Sequence, residues 1–142
     1  MSDRGKNKGR YNANQPQEDG RSDPIKVLLV DDEEGYVHVL SNRLRRRNID
    51  VTKAFSGSEA IQTLRKLDFD VVVLDLKMED MDGIEVLKII KKMVPHMEVI
   101  MLTGHGSEKA AKEGMEFGAF DYLTKPCELE DLLAKIRAAI GK

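Results

Sequence analysis

The stretch that most constrains what this chain can fold into is Val71 to Gly83, VVVLDLKMEDMDG. Its first four residues are apolar and three of them are β-branched, which suits a strand buried on both faces of a parallel sheet better than an alternating surface strand. Asp75 follows at once, with no polar lead-in. A carboxylate placed where a buried strand runs out is held by stiff backbone yet open to solutes, and the carboxyl ends of strands are where open α/β sheets bind ligands. Taken alone, Asp75 could equally cap the next segment, so the other strand ends must decide its role.

Reading outward, residues 1–23 hold almost nothing apolar beyond Met1, Tyr11 and Ala13. Such a segment cannot bury enough surface to offset its ordering entropy, so residues 1–24 are expected to form a disordered polar tail and 25–142 one folded domain. After Pro24 the pattern changes. Ile25 to Val30 reads as a strand running into Asp31, Asp32, Glu33 and Glu34, and Leu40 and Leu44 carry helical spacing to about Arg47. Asp50 to Phe55 is a short second strand. Ser56 with Glu59 three places on reads as a capping box opening a helix from Ser58 to Leu67, with Ala60, Ile61, Leu64 and Leu67 as its apolar face.

After the central strand comes a loop to Gly83 and a helix through Lys92. Glu98 to Leu102 is a fourth strand leading to Thr103 and Gly104, and Ser107 reads as the cap of a helix carrying Ala110, Ala111 and Met115. Ala119 to Leu123 is a fifth strand leading to Thr124, Lys125 and Pro126, and Leu129 to Ile140 closes the chain as an amphipathic helix. Strands alternating with helices at this spacing predict βαβ units, hence a three-layer α/β fold with a parallel five-stranded sheet covered on both faces. All the carboxyl ends then open on one edge, where Asp31, Asp32, Asp75, Thr103 and Lys125 arrive together.

Like charges about 4 Å apart repel by roughly 4 kcal/mol at an effective dielectric near 20, so three clustered carboxylates need protons or a cation. Lys125 returns one positive charge, leaving a deficit suited to one divalent ion. Carboxylate oxygens without Cys or well-placed His favour a hard metal, and few protein ligands completed by water favour Mg²⁺ over calcium. Magnesium with a lysine, a hydroxyl and a short carboxylate is equipment for phosphoryl transfer, with Asp75 as nucleophile and an acyl phosphate as its product. Lys125 and Thr103 would each hold a phosphoryl oxygen. There is no GxxxxGK[ST] and no GxGxxG, which argues against a P-loop NTPase or a dinucleotide enzyme.

From about Ile25 to Ile140 the chain resembles a receiver domain of a two-component response regulator, of the single-domain chemotaxis-regulator type. The resemblance rests on five features in order: Asp31 with Asp32, Asp75, the MDG at Met81 to Gly83, Thr103 with Gly104, and Lys125 with Pro126. It implies a flavodoxin-like, doubly wound sheet of order 2-1-3-4-5. It also implies that Asp75 takes phosphate from a sensor histidine kinase or phosphotransfer protein. Asp32 would ligate Mg²⁺ directly, Asp31 largely through water, and the main-chain carbonyl of Lys77 would complete the protein ligands. Lys125, set by a cis bond to Pro126, would pair with Asp75 and later with the phosphoryl group. Tyr122 corresponds to the switch aromatic that turns inward as Thr103 moves, shifting helix 4, strand 5 and helix 5 toward a downstream protein target, with homodimerisation as one form of output. Lys77 and His105 correspond to positions that tune dephosphorylation. One departure stands out: relatives often carry proline where this chain has Glu79, which bears on phosphoryl lifetime.

Charged residues make up 34% of the 142 residues and the net charge is −2, so nothing in the balance calls for nucleic acid or membrane. The lone Cys127 excludes an internal disulfide, and no apolar run approaches the roughly 18 residues of a spanning helix; a cytoplasmic protein is expected. Met78, Met93, Met97, Met101 and Met115 are expected to fill core or loops, and His38 and His96 to lie on the surface. The Arg43, Arg45, Arg46 and Arg47 cluster reads as a solvated helix end or a kinase-docking patch. Because helix 5 ends close to the last residue, the expectation is a protein that acts by binding a partner or relaying phosphate, or the receiver portion of a longer regulator. Two other readings stand beside it: a phosphate-independent interaction module with the same fold, and an FMN binder, which the four acidic residues after the first strand disfavour.

Overall fold

The computed structural model describes residues 23–104 and 106–141; the expected tail up to Arg21 and Ser22, and His105, lie outside the described residues. The strands are β1 (Ile25–Val30), β2 (Ile49–Ala54), β3 (Val71–Asp75), β4 (Glu98–Thr103) and β5 (Asp121–Thr124). They alternate with α1 (Glu34–Arg45), α2 (Gly57–Lys66), α3 (Gly83–Met93), α4 (Glu108–Glu116) and α5 (Leu129–Gly141). All pairings are parallel and the order is β2-β1-β3-β4-β5, as the resemblance implied.

Every residue of β3 is buried, and its side chains alternate between two cores. Val71 and Val73 pack with Val37, Leu40 and Leu44 of α1 and Leu132, Leu133 and Ile136 of α5. Val72 and Leu74 pack with Ala60 and Leu64 of α2 and Ile84, Leu87 and Ile90 of α3. A period-2 strand with both faces covered requires this continuous apolar run, and Asp75, itself only 4% exposed, ends the strand at its carboxyl edge.

Local departures from the sequence reading have identifiable causes. The first helix ends at Arg45 rather than near Arg47, because Asn48 takes a positive φ of 65° and its N–H bonds back to the Arg45 carbonyl. Leu67 caps α2 in an extended conformation and is 53% exposed, so it leaves the apolar face assigned to it. Met115 is 40% exposed on α4 and is not core filling, whereas Met97 and Met101 are buried. The fifth strand starts at Asp121, not Ala119: Gly118 turns the chain at φ +103° and the Ala119 N–H returns to the Gly114 carbonyl. Ser107 occupies the cap position of α4 without a side-chain cap bond. Ser56 does accept the Glu59 N–H at 3.0 Å, but Glu59 reaches the Phe55 N–H at 2.7 Å, one residue before the partner a capping box uses.

The β3–α3 loop is clasped at both ends. The Gly83 N–H donates to the Leu76 carbonyl at 3.1 Å, and a Cβ on Gly83 would fall on the Leu76 backbone, 2.6 Å from its oxygen. Gly83→Ala is therefore expected to destabilise by roughly 1–3 kcal/mol in denaturant unfolding, since backbone cannot step aside as a side chain can. Asp80 accepts from the Gly57 and Ser58 N–H groups at 3.0 and 3.1 Å and from Ser58 Oγ at 3.1 Å, capping α2 from a different segment. The Gly57 N–H leads the effects that hold the Asp80 carboxyl below its usual range. Its stabilisation is thus present above the ordinary carboxylate range and lost as pH falls through the lowered value. Because the carboxylate is solvent-exposed, Asp80→Ala should cost only about 1 kcal/mol at neutral pH, with a smaller cost in acid.

Candidate functional site

The register of the sheet builds the site. Val30 lies beside Leu74, so Asp31, just past β1, stands next to Asp75 at the end of β3. Asp75 lies beside Leu102, and Thr103 beside Thr124, which brings Thr103 and the following Lys125 to the same edge. The Lys125 N–H donates to the Thr103 carbonyl at 2.6 Å, and the Lys125–Pro126 bond is cis.

Asp31, Asp32 and Asp75 each offer a carboxylate oxygen within 4.8 Å of the others. Asp31 and Asp75 are buried and Asp32 is partly exposed, so the cluster opens to solvent on the Asp32 side. The two flanking carboxylates are oriented by main chain: Asp31 Oδ1 accepts the Glu33 N–H at 3.0 Å, and Asp32 Oδ2 accepts the Glu79 N–H at 2.9 Å. A proline at position 79 would lack that donor.

Burial first, and then the nearby Asp31 charge, raise the Asp75 pKa to about 6 against the pull of Lys125 and a hydrogen bond from the Lys77 N–H. Lys125 lies 3.9 Å from Asp75 Oδ1 but only 2.9 Å from Asp31 Oδ2 and 3.0 Å from Glu33 Oε1. Burial works against its charge, yet the hydrogen bonds to Asp31 and Glu33 prevail and push its pKa up. The lysine thus belongs first to Asp31 and Glu33, which is why Asp75 is not rescued from its own burial. Lys125 also sits over the Tyr36 ring, 4.5 Å from its centroid. Tyr36 contacts Cys127 by a side-chain hydrogen bond, and burial leads the causes that lift Tyr36 to about 12 and raise the Cys127 thiol.

Thr103 is buried, with Oγ1 3.5 Å from the Leu123 carbonyl, while Tyr122 is 37% exposed on the outer side of β5. Gly104 has open space around its Cα. Lys77 has an exposed side chain in the β3–α3 loop. Of the arginine cluster, Arg45 donates to the Val51 carbonyl at 2.9 Å and Arg47 pairs with Glu130 at 2.6 Å, so at least these two are engaged within the fold. Glu33, Asp80 and Tyr36 were missed as contributors by sequence reasoning. Glu33 stood in an acidic run that read as one feature, and the partners of Asp80 and Tyr36 lie on other elements.

A donor set of three carboxylates with no sulfur or imidazole suits a hard cation. The arrangement sets a carboxylate of elevated basicity at the end of β3 on the same sheet edge as the Thr103 hydroxyl that ends β4 and the Lys125 ammonium just past β5.

Residues 27–137 match the family model described as the response regulator receiver domain. The chain is 37% identical over 119 residues to the transcriptional regulatory protein ZraR of Escherichia coli, covering 84% of this chain and 27% of that protein. It is 38% identical over 119 residues to the transcriptional regulatory protein TrcR of Mycobacterium tuberculosis, covering 84% and 46%. The chain therefore spans between about a quarter and half of the length of these relatives. Among solved structures it resembles a response regulator receiver domain protein from Clostridium thermocellum, with a TM-score of 0.79, 38% identity, and coverage of 82% of this chain and 94% of that one. The receiver domain of the Francisella response regulator 1452 is similar at a TM-score of 0.76 and 34% identity, over 82% and 96%. Among the described residues no helix is long and apolar enough to cross a membrane. On sequence and fold together, this chain belongs to the response regulator receiver domain family.

Proposed function

We propose that the protein is a phosphorylation-dependent switch in which Asp75 accepts a phosphoryl group from a histidine of a kinase or phosphotransfer protein. The observation that carries this reading is the buried Asp75, raised to about 6, at the meeting point of Asp31, Asp32 and Lys125. Asp31, Asp32 and Asp75 would hold Mg²⁺, joined by the main-chain carbonyl of Lys77. Bound there, the ion would neutralise charge on the transferring phosphoryl oxygens.

The chain's own residues do the rest. An Asp75 carboxylate oxygen attacks phosphorus, the bond from phosphorus to the donor atom breaks, and the donor leaves with that electron pair. Lys125 and Thr103 hold phosphoryl oxygens on the product. Thr103 must move toward that group, and the space it vacates admits Tyr122, which faces outward in the present state. The exposed α4–β5–α5 face then shifts toward its partner-binding form. Lys77 and His105 are proposed to tune hydrolysis.

The test is incubation with acetyl phosphate and Mg²⁺ followed by intact mass measurement. One added phosphoryl group, removed by hydroxylamine and absent in EDTA, is the expected result. A protein that gains no phosphoryl group under these conditions, nor from a phosphorylated histidine phosphotransfer domain, is not a phosphoacceptor.

A further inference from the structure

We infer that Glu33 is a positioning residue that parks Lys125 away from Asp75 and competes with the phosphoryl group for it; this rests on the phosphoacceptor reading above. Glu33 occupies the N-cap position of α1, yet its side chain makes no cap bond. The side chains that ordinarily take that bond are the short ones of Ser, Thr, Asp and Asn. Here the backbone is anchored instead by the Glu33 N–H on Asp31, and the carboxylate is directed to Lys125 Nζ at 3.0 Å.

An ammonium has three protons to give. Two go to Asp31 and Glu33, and Asp75 is left at 3.9 Å, beyond a hydrogen bond. The two short contacts are unequal. Asp31 is fully buried, whereas the Glu33 side chain is 66% exposed and can be re-solvated when it lets go. Glu33 is the partner that Lys125 can exchange. Its exposed negative charge, 3.0 Å from the Lys125 ammonium, also opposes any phosphate donor, itself an anion, that comes to the site. In the reaction, Asp75 forms a bond to phosphorus, the bond from phosphorus to the acetate oxygen of acetyl phosphate breaks, and acetate departs with the electron pair. The phosphoryl oxygens then extend from Asp75 toward Lys125, which gives up Glu33 to meet them.

The experiment measures initial phosphorylation by acetyl phosphate with Mg²⁺ for the wild type, Glu33→Gln and Glu33→Asp, at low and high salt. Glu33→Gln is expected to react roughly three- to tenfold faster at low salt, with the gap narrowing as salt screens the lost charge, while Glu33→Asp stays near wild type. A merely structural role moves the melting temperature but not this salt dependence. The Lys125 ammonium is followed in parallel by ¹⁵N NMR without phosphodonor, where Glu33→Gln should shift its signal. Equal rates and salt slopes in Glu33→Gln and wild type overturn the competition. Should the wild type take no phosphoryl group, the phosphoacceptor reading fails, and an unmoved Lys125 signal in Glu33→Gln separately overturns the positioning.

Discussion

Asp75→Asn is expected to take up no phosphoryl group from acetyl phosphate and Mg²⁺, a loss of at least roughly 10³-fold in rate against the wild type. The amide keeps the size of the carboxylate but offers no anionic oxygen to attack phosphorus. The neighbouring carboxylates are poor substitutes. Both oxygens of Asp31 are committed, one to the Glu33 N–H at 3.0 Å and the other to Lys125 at 2.9 Å, and its side chain is fully buried. Asp32 is turned by the Glu79 N–H at 2.9 Å. Intact mass after a long incubation checks the result. A stable, hydroxylamine-labile phosphoprotein formed by the Asp75→Asn variant would place the nucleophile elsewhere.

The sequence carried the sheet and its ligand edge because both follow from local pattern. VVVLD, short, apolar up to its Asp and mostly β-branched, suits a strand covered on both faces, and the polar residues at the ends of β1, β3 and β4 and just past β5 then fall on one side by parallel topology. What it did not carry was pairing across elements. Nothing in the spacing of Asp80 indicates that its carboxylate will cap α2, because the match is made by a loop folding back against Gly57 and Ser58. Glu33 was hidden for a related reason. In an acidic run every residue looks alike, and only the fold selects which one faces Lys125. Leu67 and Met115 show the converse failure, since helical spacing assigns a face but not where the helix stops or how far a neighbour reaches.

The same Asp75→Asn change should make the metal-free protein more stable at neutral pH. With its pKa raised to about 6, native Asp75 holds its proton over a range where the unfolded chain has already released it. The sign follows: the favourable contribution of the neutral carboxyl is complete below the unfolded value near 4 and is lost as pH rises through about 6. Above that, the wild type carries an ionised carboxylate in a buried site beside Asp31. The neutral amide removes that cost. In EDTA at about pH 8, urea unfolding should give the variant an advantage of up to about 3 kcal/mol, shrinking through pH 6 and gone near pH 4. Groups remote from the cluster cancel in the difference, whereas Asp31 and Lys125 feel the Asp75 charge directly and lose that influence in the variant. Adding Mg²⁺ should reverse the order, because an ion that binds the native cluster stabilises the wild type in proportion to its occupancy, and the variant lacks one of the three carboxylates. Equal stability of the two proteins at pH 8 in EDTA would mean that Asp75 is not under electrostatic strain, and the cluster would then have no physical need for a cation.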